Sequence, residues 1–162
     1  MKEAIPLLSI VSPVYKAEKI IPLLVERIEN SVSKITADYE LLLVEDGGPD
    51  HSWKVIAGIA KTNSKIKGIK LSRNFGQHPA IMAGLSQAKG EWVVVMDCDL
   101  QDQPEEIEKL YTKALEGFDI VLAKRRDRKD SFLKKMTSSF FSKIYGYFTD
   151  TEYDNEVANF GI

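Results

Sequence analysis

Apolar positions along this chain fall into two kinds of pattern. Short, nearly continuous runs, LLSIVSP (7–13), ELLLVED (40–46), IKGIKLS (66–72), EWVVVM (91–96) and FDIVLA (118–123), read as β-strands. Between them the spacing becomes helical. Ile20, Leu24, Ile28, Val32 and Ile35 share one face, and Pro22 suits that helix's first turn. Asp50 or Ser52 is placed to cap a helix carrying Trp53, Ile56 and Ile59, and Ala80 to Ala88 reads as a helix after the loop RNFGQHP. Pro104 takes a first helical position, with Glu105 and Glu106 beside it and Ile107, Leu110, Tyr111 and Leu115 on the inner face. LLLV and VVVM are apolar on both faces, as central strands covered by helices must be. Strands alternating with helices predict an α/β fold with a mostly parallel sheet. Ligands of such sheets bind outside the carboxyl ends of the strands. That selects SPVY, EDGGPD and DCDLQD.

Composition narrows this picture. At 162 residues, 44% hydrophobic and 28% charged, the chain is long enough for one domain with a core. A net charge of -2 gives no global field for nucleic acid. Cys98 is the sole cysteine, so no internal disulfide forms and a reducing compartment is expected. No apolar run reaches the roughly 20 residues of a membrane span. Two histidines and one cysteine argue against zinc or a Cys-His pair. His51 reads as a surface residue, His78 as a loop or N-cap residue, and Cys98 as packing that points away from its neighbours. The chain runs out in NFGI with no cap or turn, as if cut within a larger protein.

The carboxylates carry the candidate chemistry. Asp97 and Asp99 leave a buried strand at i and i+2; if the chain stays extended they lie about 7 Å apart on one side. At an effective dielectric of about 20, that pair repels by roughly 2.4 kcal/mol. A divalent cation reverses the sign, and Gln101 offers a further oxygen. An all-oxygen set suits Mg²⁺ or Mn²⁺. The competing reading is helix capping, which fits Asp102 better than Asp97 and Asp99. Asp46 ends another buried strand before Gly47 and Gly48, where it serves a nucleotide base or ribose, or only a tight turn.

Taken together, VSPVY, VEDGGPD and LSRNFGQHPAIMAGLSQAKGEWVVVMDCDLQDQPEE resemble the inverting glycosyltransferases of family 2, with the GT-A fold. The likeness is strongest to the branch that loads sugars onto polyprenyl or dolichyl phosphate, over residues 5 to 150. The resemblance implies a role for each matching residue. Pro13, Val14 and Tyr15 would line a base and ribose pocket, and Val44 and Asp46 would read the base. Asp97 would meet the ribose or the metal, and Asp99 and Gln101 would hold Mg²⁺ or Mn²⁺ on the diphosphate. Arg73 and Gly84 would border the sugar-diphosphate, and Arg125 would contact phosphate. Asp97, Asp99 and Arg125 would carry catalysis. The chain departs from the family at PVYKAE, where Ala17 replaces an acidic residue, and at EDGG, where DDGS is usual. The implied activity is metal-dependent transfer from a nucleotide-diphosphate sugar, with UDP favoured by family frequency. The acceptor would be a polyprenyl phosphate in cell-surface glycan synthesis. A hydroxyl acceptor on a growing glycan is the alternative, favoured by NFGI in place of an acidic segment. A nucleotidyltransferase is disfavoured, because VSPVYKAEK lacks a glycine-rich phosphate loop. A catalytically idle nucleotide-binding domain is the rival of another class.

Residues 1–130 therefore read as the GT-A nucleotide-sugar-binding domain. Residues 131–162 read as an amphipathic helix and the start of an acceptor-side segment. KRRDRKDSFLKK (124–135) is either a solvated loop or a basic flap. In 131–150, Phe132, Met136, Phe140, Ile144 and Phe148 recur every four residues beside lysines. That face fits a membrane surface; it fits equally well a helix packed on further chain or on a second subunit of a homodimer. The expected location is cytoplasmic, at the inner face of the membrane.

Overall fold

The computed structural model describes residues 6–124 and 157–162. Six strands form one sheet: β1 (Leu8–Val14), β2 (Tyr39–Glu45), β3 (Ile66–Lys70), β4 (Trp92–Val95), β5 (Leu122–Lys124) and β6 (Val157–Gly161), in the order β3-β2-β1-β4-β6-β5. β3, β2, β1 and β4 run parallel, and β6 runs antiparallel to both β4 and β5. The helices are α1 (Ile21–Val32), α2 (Ser52–Thr62), α3 (Gln77–Leu85) and α4 (Ile107–Ala114), the last entered through a 3₁₀ turn at Pro104–Glu106.

Every residue of β1 and β2 is buried, which explains their two-sided apolarity. Ile10, Leu41 and Leu43 point into a core shared with Ile21, Leu24 and Ile28 of α1, Ile56 of α2 and Ile107 of α4. The alternate residues Val11 and Val44 meet α3 on the opposite face. A Cβ on Gly84 would overlap the Val11 side chain and come within 3.1 Å of Val44, so the glycine lets α3 seat directly on the sheet. α1 is also joined to the 3₁₀ turn. Ser31 Oγ donates to the Pro104 carbonyl at 2.6 Å, and Arg27 pairs with both oxygens of Glu105.

The sheet reverses direction between β1 and β4. β1, β2 and β3 are laid outward in one direction, and β4 returns to the other side of β1. Such a switch point opens a crevice at the carboxyl ends of the two central strands.

Three expectations are shifted. The helix expected at Ala80 begins at Gln77, because Gly76, with φ +97°, breaks the extended chain there. Pro79 then falls in the first turn, where its missing N–H has no helical partner to lose. The strand expected at 118–123 starts at Leu122, leaving Phe118 and Ile120 exposed. The NFG of NFGI lies within β6, which pairs on both sides. Residues 125–156 lie outside the described part, and with them Arg125 and the amphipathic stretch 131–150. Among the described residues no helix is long and apolar enough to cross a membrane.

Candidate active site

A cavity of about 300 Å³ occupies the switch point. Pro13, Val14 and Tyr15 line it from the end of β1, Asp46 from the end of β2, and Asn74, Gly76 and Gln77 from the loop into α3. Asp97, Cys98 and Asp99 close it from the end of β4. The floor is buried, while Tyr15 stands 44% exposed at the mouth with Lys16 Nζ 5.1 Å from its ring.

Two carboxylates at the end of β2 build the wall by holding backbone. Glu45 Oε1 accepts the Gly48 N–H at 2.5 Å, closing the turn. Asp46 is 3% exposed, and its two oxygens accept the N–H groups of Phe75 and Gly76 at 2.8 and 2.9 Å. Such charge-assisted bonds are stronger than neutral ones, so Asp46 fixes the RNFG loop across the top of the sheet. Gly47 makes this approach sterically feasible. Its φ is +61°, and a Cβ there would strike the Arg73 and Asn74 backbone.

The loops after β1 and β2 are clamped together. Ala17 N–H donates to Ser52 Oγ (3.0 Å), Glu18 N–H to Asp50 Oδ2 (3.2 Å) and His51 N–H to Glu18 Oε2 (2.8 Å). Asp50 also accepts the Ser52 N–H and hydroxyl, but neither Asp50 nor Ser52 is the cap: the N-cap position of α2 falls on His51, which makes no side-chain cap bond. Burial alone would raise the Asp50 pKa. The Ser52 hydroxyl and the surrounding amides outweigh that and hold the carboxyl below its ordinary value.

The β4 end departs from a continued strand. β4 stops at Val95, the chain turns through Cys98 and Asp99, and Leu100 takes φ +62°. Asp97 and Asp99 thus reach one cavity through a turn rather than by extended alternation. Asp99 is exposed, with Oδ1 accepting the Gln101 N–H at 2.9 Å. Asp97 Oδ1 accepts from Gln77 Nε2 at 2.5 Å, and its N–H donates to Asp102 Oδ2 at 3.3 Å. Asp102, 4% exposed, therefore turns back toward Asp97. The same turn brings Cys98 into the cavity lining instead of away from the aspartates. Burial raises its thiol pKa; a Tyr15 backbone bond opposes this, and the charges of Asp99 and Asp97 add to it. Both burial and the neighbouring carboxylates thus disfavour the thiolate, the form a nucleophile needs.

Pro13, Val14, Tyr15, Asp46, Asp97 and Asp99 thus converge on one cavity. Val44 and Gly84 pack against each other between β2 and α3 and do not line it. Arg73 is exposed, its guanidinium 4.5 Å from the Phe75 ring. Gln101 lines a neighbouring cavity with Asp102, Lys109 and Phe160. Sequence reasoning did not single out Asn74, Gly76 or Gln77, although all three stand in the RNFGQHP string.

Among the described residues no group of three or more His, Cys, Asp or Glu is placed to hold a metal. The hard oxygens of Asp97 and Asp99 on one cavity still fit a Mg²⁺ or Mn²⁺ ion that takes its remaining positions from phosphate and water. They do not fit zinc.

The Glycosyl transferase family 2 model matches residues 9–161. The chain is 42% identical over 140 residues to the undecaprenyl-phosphate 4-deoxy-4-formamido-L-arabinose transferase of Aeromonas hydrophila, covering 86% of this chain and 43% of that protein. It is 43% identical over 143 residues to the protein of the same name from Proteus mirabilis, covering 88% of this chain and 44% of the relative. The chain thus spans less than half the length of these relatives. Among solved structures it is similar to S. aureus TarS 1-349 in complex with UDP-GlcNAc, with 25% identity and a TM-score of 0.57 over 76% of this chain and 36% of that one. The sheet has the GT-A arrangement that the sequence resemblance implied.

Proposed function

The chain belongs to Glycosyl transferase family 2, and from that premise we propose that it is the donor-binding part of an inverting glycosyltransferase that moves a sugar from a nucleotide diphosphate to a polyprenyl phosphate. The observation that carries this reading is the convergence of Asp97 and Asp99 with Pro13, Val14, Tyr15 and Asp46 on one switch-point cavity. Tyr15 offers a ring face to a base, and Asp46 holds the opposing loop. Asp97 and Asp99 would hold Mg²⁺ or Mn²⁺. Bound there, the ion supplies neutralisation of the charge that grows on the diphosphate as the sugar leaves.

The polyprenyl phosphate acceptor is supported by the names of the two relatives at 42% and 43% identity. Such an acceptor is already anionic, so attack on the far side of the anomeric carbon needs no general base. It also places the enzyme at a membrane surface, with the nucleotide sugar supplied from the cytoplasm. Arg125 and the basic, amphipathic 124–150 region are the candidates for meeting phosphate and lipid.

Calorimetry on the full chain tests the donor site. UDP binding is expected to strengthen on adding Mn²⁺, and Asp99→Ala is expected to remove that enhancement. Equal affinity of wild type and Asp99→Ala in Mn²⁺ would refute the metal assignment.

A further inference from the structure

Asp97 leaves the sheet with its N–H on the Asp102 carboxylate instead of on a neighbouring strand. The last parallel-ladder contact before it is Met96 N–H to the Val11 carbonyl, at 3.1 Å. A carboxylate one residue beyond a ladder is free to rotate unless something grips its oxygens. Here Gln77 does so, its Nε2 donating to Asp97 Oδ1 at 2.5 Å. Only the amide nitrogen can donate to a carboxylate, so this pairing also fixes which way the Gln77 amide faces.

Gln77 is itself held. It is the first residue of α3 and follows Gly76, whose N–H is clamped by Asp46. α3 is seated on Val11 and Val44 through Gly84. A continuous strut thus runs from Asp46 at the end of β2, through the RNFG backbone, to Asp97 at the end of β4. The residue type matters as well. A neutral amide occupies one lone pair and sets the carboxylate's orientation while leaving its negative charge for a cation. A lysine at the same place would cancel that charge.

Resting on the donor-site reading above, we propose that Gln77 is a positioning residue for Asp97. It would orient the carboxylate for a divalent cation and couple the nucleoside side of the cavity to the diphosphate side. Outer-shell partners of this kind typically change metal affinity by roughly 10- to 100-fold.

The test uses the full chain, with Mn²⁺, UDP and uridine as calorimetric probes. Gln77→Met removes the donor at similar size. Mn²⁺ affinity at saturating UDP is expected to fall roughly tenfold, with metal-free uridine affinity and melting temperature unchanged. Gln77→Lys is expected to lower Mn²⁺ affinity while raising metal-free UDP affinity, a reversal that loop damage would not produce. Two results would overturn the assignment: wild-type Mn²⁺ affinity in Gln77→Met, or a parallel fall in uridine and Mn²⁺ binding with a lowered melting temperature. A wild-type chain that binds UDP no better with Mn²⁺ would overturn the donor-site reading itself, and the role of Gln77 with it.

Discussion

Replacing Glu40 with alanine tests the packing that supports the site from below. Glu40 is 3% exposed within β2, yet fully partnered. Its Oε1 accepts the Ser9 hydroxyl and the Lys89 N–H, each at 2.6 Å, and its Oε2 takes the Lys67 ammonium at 2.5 Å. Removing the carboxylate takes the acceptor from the buried Ser9 hydroxyl, and an unpaired buried donor costs about 1–3 kcal/mol; the Lys89 N–H lies on an exposed residue and adds less. Lys67 is 44% exposed and rehydrates, so its loss adds little. The expected destabilisation is about 2 kcal/mol, carried by the Ser9 hydroxyl left without its acceptor. For a chain of this size that lowers the melting temperature by roughly 4–8 °C. Acidity supplies a second signature. Burial alone would raise the Glu40 pKa, but the Lys67 ammonium, the Ser9 hydroxyl and the Lys89 amide outweigh it and hold the carboxyl below its ordinary 4.5. The folded state therefore prefers the charged form. That contribution is fully present above pH 4.5 and is lost as pH falls through the depressed folded value. Urea melts of wild type, Glu40→Gln and Glu40→Ala at pH 7, 4.5 and 3 measure both effects. The reasoning fails if Glu40→Ala lies within about 1 kcal/mol of wild type at pH 7, or if the wild type's advantage over Glu40→Gln does not shrink on acidification.

Two further substitutions address the roof of the cavity. Gly47→Ala places a side chain at φ +61° against the Arg73 and Asn74 backbone. It should destabilise by about 2–4 kcal/mol through strain and loop displacement; a denaturation midpoint equal to wild type's would refute the close approach. Asp46→Ala frees the N–H groups of Phe75 and Gly76. Their hydrogen exchange should accelerate and uridine binding weaken roughly tenfold or more, while Mn²⁺ enhancement of what binding remains is kept; selective loss of the Mn²⁺ response would place Asp46 on the wrong side of the cavity.

β1 and β2 were legible because burial on both faces leaves a mark that needs no partner, as in LLLV, whereas β3 and β4 are only partly buried and show as short apolar runs between helical segments. β6 was not. VANFG becomes a strand through pairing with β4 and β5, and pairing across such separations leaves no local pattern. The site divides the same way. DCDLQD and VEDGG announce chemistry by their position after apolar runs. Val44 and Gly84 belong to family motifs, yet their burial shows them serving the seat of α3. Gln77 stands in a conspicuous string, but its bond to Asp97 spans 20 residues and two elements, so its purpose becomes visible only in three dimensions. The local failure of alternation at Asp97 and Asp99 has one cause, the turn with Leu100 at positive φ.

The antiparallel β6 has a consequence for the order of assembly. β5 has no sheet neighbour among the described strands except β6. It emerges from the ribosome first but lacks this strand partner until residues 157–161 arrive, and at roughly 5–20 residues per second that interval lasts seconds. During it, β1 to β4 can already form the switch-point cavity, because their pairings close within the first 95 residues. The switch-point cavity is therefore an early product of synthesis. The apolar residues Phe118, Ile120 and Leu122 mark the edge where a nascent chain is most open to mispairing or chaperone capture.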